Sequence, residues 1–231
     1  MNTAIIAAAG MGARMASDRP KQFLLLAGTP IIFHTLKPFE QCDSIHEVIV
    51  VLPAQESAAF LSLAAKQGLR KLSRVVPGGA TRADSVKRGL MAIRPASAGI
   101  VAVHDGVRPF VTPEEIAGTV AAAESEGAAI LVAPVTDTIK QISDDGAGSR
   151  SIVKTLDRQE LRRALTPQCF RYELLRKAYD HADVNDPSLT DESSLVERIG
   201  ARVTVIEGSS RNIKITTPQD LLIAEAFLRN D

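Results

Sequence analysis

The sequence has no excess of charge of either sign. Lysine and arginine number 27 against 27 aspartate and glutamate, so no global field draws the chain to nucleic acid or to an anionic membrane. Anion binding has to come from local arrangement. Cysteine is nearly absent: Cys42 and Cys169 stand apart, without CxxC or metal-ligand spacing. That argues against a disulfide framework and predicts two free, half-buried thiols in a reducing compartment. A long hydrophobic run is missing as well. The first apolar stretch, Thr3 to Ala9, lacks a basic flank and is far shorter than a spanning helix. The expectation is a cytoplasmic protein with neither membrane nor nucleic acid as partner. Repeats, low-complexity tracts and a linker are also wanting, and 231 residues suit one α/β domain covering 1–231.

What is present is an alternation of buried-strand and helix patterns. Ala4–Ala8, Glu47–Leu52 (EVIVVL), Arg74–Val76, Gly99–Val103 (GIVAV) and Ala128–Ala133 are short, continuous apolar runs, as in strands covered on both faces. Between them Pro30–Gln41, Ala54–Gln67 and Ala83–Ile93 read as helices. Another helix starts at Thr112-Pro113-Glu114-Glu115, with Thr as N-cap, Pro at the first position and acids in the first turn. This rhythm predicts an open, mostly parallel sheet with helices on both faces. It breaks between about Val135 and Asp157. There Thr136–Ser143 and Ser151–Leu156 alternate around the turn Asp144-Asp145-Gly146-Ala147-Gly148, a two-stranded ribbon. A lone hairpin is marginal in water, so this one is expected to pack on something, such as a second subunit. Helices near Tyr172–His181 and Asp191–Ile199, a strand at Arg202–Glu207, a strand-like Asn212–Thr216 and a helix Pro218–Leu228 complete the pattern.

The first strand runs into AAAGMGARMASDRPKQF at 7–23. Gly10-x-Gly12 after a strand invites a dinucleotide reading, but that fingerprint wants a third glycine where Met15 stands. It also wants an acid at the end of the second strand, which closes Val51-Leu52-Pro53. No GxxxxGK[ST] occurs, which removes a P-loop. Arg14 and Lys21 shift the reading. Exposed backbone N–H groups of a glycine turn can wrap a phosphate chain, and two cations downstream can neutralise a polyphosphate. On the residues alone, the loop stays divided between a nucleotidyl-transfer cradle and a plain strand-to-loop turn.

Three further constellations follow strands. His104-Asp105-Gly106-Val107-Arg108-Pro109 comes after GIVAV, at the carboxyl end where open α/β sheets bind ligands. Asp105 there is placed to hold Mg²⁺, which takes one or two carboxylates plus substrate phosphates, although a single loop aspartate is more commonly a cap or turn residue. His104 reads as structural. Pro77-Gly78-Gly79-Ala80-Thr81-Arg82-Ala83-Asp84-Ser85 joins a strand to a helix, and either caps that helix or contacts a base or ribose. Lys214, in the apolar run Asn212-Ile213-Lys214-Ile215, reads as a solvent-facing edge residue.

In order, AAAGMGARM, PKQF, GGATRADSV, HDGVRPF, DTIK, TLDR, ALTPQ, TDE and NIKITTPQDL span residues 7 to about 221. The set closely resembles the 2-C-methyl-D-erythritol 4-phosphate cytidylyltransferases of the non-mevalonate isoprenoid pathway. The resemblance implies a Rossmann-like nucleotidyltransferase fold and a homodimer formed through a protruding β-arm, here about 136–157. It also implies CTP and a sugar-alcohol phosphate as substrates. It places Ala8, Ala9, Gly10 and Gly12 around the CTP phosphates and base, and Arg14 and Lys21 at the transition state. Gly79 and Ser85 fall to the cytidine and Asp105 to Mg²⁺. Arg108, Thr138, Arg158, Thr166 and Lys214 would surround the sugar phosphate and the reacting phosphorus, with Thr138 and Arg158 offered across the dimer by the arm. Some relatives carry a fused cyclodiphosphate synthase domain, for which this chain is too short. Ala80 stands where many relatives carry an acid, and HDGVRP replaces the usual HDAARP. The related ribitol-5-phosphate cytidylyltransferases share HDxVRPF and NIKITTP, so the sugar phosphate is the less specific half; DTIK, TLDR and ALTPQ favour methylerythritol phosphate. A non-catalytic nucleotide-binding module is the remaining alternative, and the presence of Arg14, Lys21, Asp105 and Lys214 argues against it. No histidine–carboxylate pair lies near the motifs, as suits a phosphate nucleophile already anionic at neutral pH.

Overall fold

The computed structural model describes residues 1–10, 20–144, 148 and 150–229. Gly12, Arg14 and Met15, on which part of the glycine-turn reading rests, fall outside the described residues.

Strand β1 (Thr3–Ala7) lies at the middle of the sheet because it has no polar face to turn outward: Ala4, Ile5 and Ile6 are buried completely. Two tiny strands, β2 (Leu25–Leu26) and β3 (Thr29–Pro30), form a side ribbon before helix α1 (Ile31–Gln41). Then come β4 (Glu47–Leu52), α2 (Ser57–Ala64), β5 (Leu72–Pro77) and α3 (Arg82–Met91). The predicted helix over 54–67 is shorter, since Ala54–Glu56 is a 3₁₀ turn. Next are β6 (Ile100–Asp105), α4 (Pro113–Glu126), whose Thr112–Glu115 capping box forms as the sequence requires, and β7 (Ala128–Pro134). The arm is β8 (Lys140–Asp144) paired antiparallel with β9 (Arg150–Thr155). Strand β10 (Arg162–Arg171), helices α5 (Tyr172–Asp180) and α6 (Glu192–Arg198), β11 (Thr204–Glu207) and α7 (Pro218–Arg229) follow.

The seven-stranded sheet runs β11-β7-β10-β6-β1-β4-β5. Its pairings are parallel except those of β10, which runs antiparallel to both β6 and β7. The sequence reading has no element at 162–171, so β10 is a correction. Helices α1, α2 and α4 cover one face and α3, α5 and α6 the other, which gives the sheet its two hydrophobic layers. Full burial of Ile5 and Ile6 on opposite faces contributes about 1.5–3 kcal/mol per side chain. Among the described residues no helix is long and apolar enough to cross a membrane. Both cysteines are free, but they are buried rather than half-buried, and burial pushes the Cys169 thiol far up in pKa.

The chain leaves β1 toward β4 on one side, while β6 lies on the other. Beyond the carboxyl ends of these strands is the crevice where an open α/β sheet takes its ligand.

Candidate active site

A cavity of about 290 Å³ opens at that crevice, lined by Ala7–Gly10, Lys21, Gln22, Gly79–Arg82, Ser85, Asp105, Val107 and Lys214. The walls approach closely because their residues are small. A Cβ at Gly78 would come within 2.2 Å of the Ala9 Cβ, and one at Gly106 within 2.6 Å of the Ala8 Cβ. The loops after β1, β5 and β6 are tied by Ala8 N–H to the Val51 carbonyl (2.9 Å), Gly78 N–H to the Leu52 carbonyl (2.7 Å) and Gly106 N–H to the Ala7 carbonyl (2.9 Å).

Lys21 reaches the cavity from a 3₁₀ turn, Lys21–Phe23. The neighbour Gln22 is buried and donates from Nε2 to the Ala8 carbonyl at 2.6 Å, which fastens Pro20-Lys21-Gln22 to the end of β1. Gln22 is a residue the motif reading passed over. Around Gly79, the Ser85 hydroxyl accepts from Gly79 N–H (3.0 Å) and donates to the Thr81 carbonyl (2.8 Å), while Thr81 Oγ1 accepts from Asp84 N–H as the N-cap of α3. The loop is thus held shut by its own side chains.

Asp105 is the last residue of β6 and sits opposite Ala7 in register; His104 and Asp105 belong to the strand rather than to the loop after it. Its carboxylate meets three cations. Arg82 Nε lies 3.1 Å from Oδ1, and Arg108 Nε (3.2 Å) and Lys214 Nζ (2.9 Å) both lie at Oδ2. Burial alone would raise its pKa, but the charges of Arg82, Lys214 and Arg108 outweigh burial and hold it well below the usual carboxylate range. Lys214 corrects two expectations. Residues 212–216 pair with no strand, and the lysine, instead of facing solvent from a sheet edge, turns to Asp105. One bond, Ile215 N–H to the Val107 carbonyl (2.9 Å), fixes the segment beside the site. Arg108 Nη1 also donates to the Asn212 carbonyl (2.9 Å), and Asn212 Nδ2 to that of Thr166 (2.9 Å).

His104 and Thr166 form a buried layer under Asp105. Thr166 Oγ1 accepts from Asp105 N–H (3.2 Å) and lies 2.9 Å from His104 Nδ1; His104 Nε2 lies 3.1 Å from the Arg108 carbonyl. A carbonyl can only accept, so Nε2 carries the proton, Nδ1 accepts, and the Thr166 hydroxyl donates inward. Burial pushes the His104 pKa down to about 4, against the opposing pull of its hydrogen bond to Arg108 and the charge of Asp105. The imidazole is neutral and fully used.

The cavity therefore gathers Ala8, Ala9, Gly10, Lys21, Gly79, Ser85, Asp105 and Lys214 along its lining, with Arg108 and Thr166 in contact with Asp105. Thr138 and Arg158 are exposed at the base of the arm, outside the lining, where Arg158 Nη1 donates to the Thr136 carbonyl (2.9 Å). Arg82 was assigned no role from sequence, yet it lines the cavity and bonds Asp105. The available signal was a cation at the first position of a helix, where the dipole disfavours one.

The sequence profile of one family, described as 2-C-methyl-D-erythritol 4-phosphate cytidylyltransferase, matches residues 2–230. A relative bearing that name in Pelotomaculum thermopropionicum is 43% identical over 98% of this chain and 93% of its own. Another, in Bacillus cytotoxicus, is 44% identical over 99% of this chain and 98% of its own. Among solved structures, the 4-diphosphocytidyl-2C-methyl-D-erythritol synthase of Anaerococcus prevotii superimposes with a TM-score of 0.85 at 31% identity, over 99% of this chain and 96% of that one. The 2-C-methyl-D-erythritol 4-phosphate cytidylyltransferase of Thermus thermophilus gives 0.76 at 34% identity, over 98% of both chains.

Proposed function

The chain belongs to the 2-C-methyl-D-erythritol 4-phosphate cytidylyltransferase family, and from that membership we propose how its residues divide the reaction. The enzyme transfers the cytidylyl group of CTP to 2-C-methyl-D-erythritol 4-phosphate, releasing pyrophosphate and forming 4-diphosphocytidyl-2-C-methyl-D-erythritol. A phosphate oxygen of the sugar phosphate attacks the α-phosphorus in line, and the bond to the β-phosphate oxygen breaks. The nucleophile is already an anion, so the chain has no proton to remove and its task is to position charge.

The observation that carries this reading is the set of cations at the ends of β1 and β6. Arg82, Arg108 and Lys214 contact a buried Asp105, Lys21 lines the same cavity, and His104, committed to Thr166 and Arg108, is no base. Ala8, Ala9, Gly10 and Gly12 cradle the triphosphate, and Gly79 and Ser85 face the cytidine. Arg14 and Lys21 offset charge growing on the α-phosphoryl and the departing pyrophosphate. Lys214, Arg108 and Thr166 receive the sugar phosphate, joined by Thr138 and Arg158 from a partner.

Asp105 is the one carboxylate lining the cavity among the described residues, and a single carboxylate suits Mg²⁺ when phosphate oxygens complete its shell. Both carboxylate oxygens already face cations, and no group of three His, Cys, Asp or Glu among the described residues forms a cage. Asp105 is the residue that would hold the ion proposed here, and the ion would neutralise phosphate charge on the bound triphosphate. A homodimer through the arm is proposed on two grounds. Both strands of the hairpin are exposed along their length, and Ile142 and Ile152 are paired across it at 53% and 65% exposure. A cytoplasmic location accords with two unpaired buried thiols.

The test is pyrophosphate release across the four nucleoside triphosphates with methylerythritol 4-phosphate or ribitol 5-phosphate as acceptor. CTP with methylerythritol phosphate is expected to turn over far faster than any other pair. Faster turnover of ribitol phosphate would overturn the acceptor, and CTP binding without release would mark a nucleotide-binding module.

A further inference from the structure

Arg82 does more than line the cavity. Its Nε donates to Asp105 Oδ1 at 3.1 Å, and its Nη1 donates to both oxygens of Glu192, at 2.8 and 3.0 Å. Glu192 is the first residue of α6 and its side chain is 1% exposed. It also accepts from the Tyr179 hydroxyl at 3.0 Å, and its backbone N–H donates to Gln168 Oε1 on β10 at 3.1 Å. One guanidinium thus connects the start of α3, the start of α6 and the end of β6.

Two features set this bridge apart from an ordinary ion pair. Arg82 is at the amino end of a helix, where the dipole opposes a cation, so its place there is owed to the carboxylates. A buried glutamate is also costly unless it is paired and hydrogen-bonded. Here it is paired with a side chain that is itself 29% exposed to the cavity. The two acids share one guanidinium: Nη1 contacts both oxygens of Glu192, and Nε contacts Asp105 at Oδ1. Anchored by Nη1 on a buried carboxylate, the guanidinium meets Asp105 through Nε alone and does not add an Nη2 contact to fork across both oxygens. Oδ2 stays available to Lys214 and Arg108.

We propose that Arg82 and Glu192 are positioning residues for the transfer reaction: Glu192 holds Arg82 side-on to Asp105, and this keeps Oδ2 turned to Lys214 and Arg108. Without the charge of Glu192, Arg82 is released to close bidentately on Asp105, the fork geometry that guanidinium and carboxylate favour, and Lys214 loses its anchor. The proposal rests on the assignment of Lys214 to the sugar phosphate made above.

The experiment is a set of variants, Glu192→Gln, Arg82→Lys, Asp105→Asn and the Glu192→Gln/Asp105→Asn double, each assayed for kcat and both KM values by pyrophosphate release, with thermal unfolding in parallel. Glu192→Gln keeps the shape and the Tyr179 contact and is expected to lose about 10- to 100-fold in kcat, the usual size of an effect passed through a supporting group, in protein that remains folded. Arg82→Lys keeps the charge but replaces the separate Nε and Nη1 arms of the planar guanidinium with a single nitrogen, and it is expected not to rescue. In the double variant, Glu192→Gln adds no further loss to that of Asp105→Asn, because its effect runs through that carboxylate. If Glu192→Gln costs the fold, Tyr179→Phe removes only the bond that orients Glu192 and should lower kcat about two- to tenfold, the scale of one ordinary hydrogen bond. Folded variants with wild-type kcat, or losses that multiply in the double variant, overturn the proposal. Wild-type protein that releases no pyrophosphate from CTP and methylerythritol phosphate overturns the underlying assignment instead.

Discussion

Lys214 Nζ lies 2.9 Å from Asp105 Oδ2, joining an unpaired segment near the carboxyl end of the chain to the last residue of a central strand. The contact does little for the fold. Its lysine is 36% exposed, and Asp105 keeps Arg82 and Arg108 without it. Under the proposed assignment, its weight lies in where a positive charge waits for the sugar phosphate.

Lys214→Ala is therefore expected to change stability by under about 1 kcal/mol, as for a partly solvated pair. Turnover should fall by about 10²–10³, the scale for removing one preorganised charge donor. Thermal unfolding beside a pyrophosphate assay separates the two effects. A large drop in Tm with turnover retained would reassign Lys214 to structure.

The same scale applies to the two cations proposed for the triphosphate. Arg14→Ala and Lys21→Ala should each lower kcat by about 10²–10³ while CTP still binds, because they act where charge grows in the transition state. Equal losses in CTP affinity and unchanged kcat, read by titration calorimetry and steady-state kinetics, would move them to ground-state binding.

Much of this site was legible because it follows strand ends. The buried runs before Ala8 and up to Asp105 mark β1 and β6, and open sheets bind ligands beyond such ends. Strand β10 was hidden for a physical reason. Its Pro167 lacks an N–H and argues against a central strand, but the ladder with β7 shifts register between Ala164 and Gln168, and the proline sits inside that break. Lys214 was misread because a short apolar run looks the same whether or not a neighbouring strand pairs with it. Arg82 and Glu192 were illegible as partners, since nothing local says that the first residues of α3 and α6 meet.

The arm yields a prediction about assembly. Ile142 and Ile152 face each other across the hairpin and stay exposed, and a two-stranded ribbon is marginal by itself. Wild-type protein is expected to sediment as a dimer, and Ile142→Asp with Ile152→Asp as a monomer. Thr138 and Arg158 lie at the ends of the arm, so the monomer should also lose turnover at saturating CTP. A double variant that stays dimeric would place the interface elsewhere.

Acid stability tests the buried layer beneath the site. Burial lowers the His104 pKa from its ordinary 6.5 to about 4, so the unfolded chain binds a proton through that interval while the folded chain does not. The sign follows: stability declines as pH falls from about 6.5 to about 4, by up to about 3 kcal/mol for this single group. Asp105 acts later. Its pKa is depressed in the fold, so its contribution is present above the ordinary carboxylate value of 3.8 and is lost only as pH falls further. Urea unfolding at pH 7, 5.5 and 4.5 isolates the histidine. His104→Gln should be less stable than wild type at pH 7, because the bonds to Thr166 and Arg108 are weakened, yet its stability should change much less between pH 7 and 4.5. Should the variant keep the wild-type slope, the acid-sensitive group is not His104.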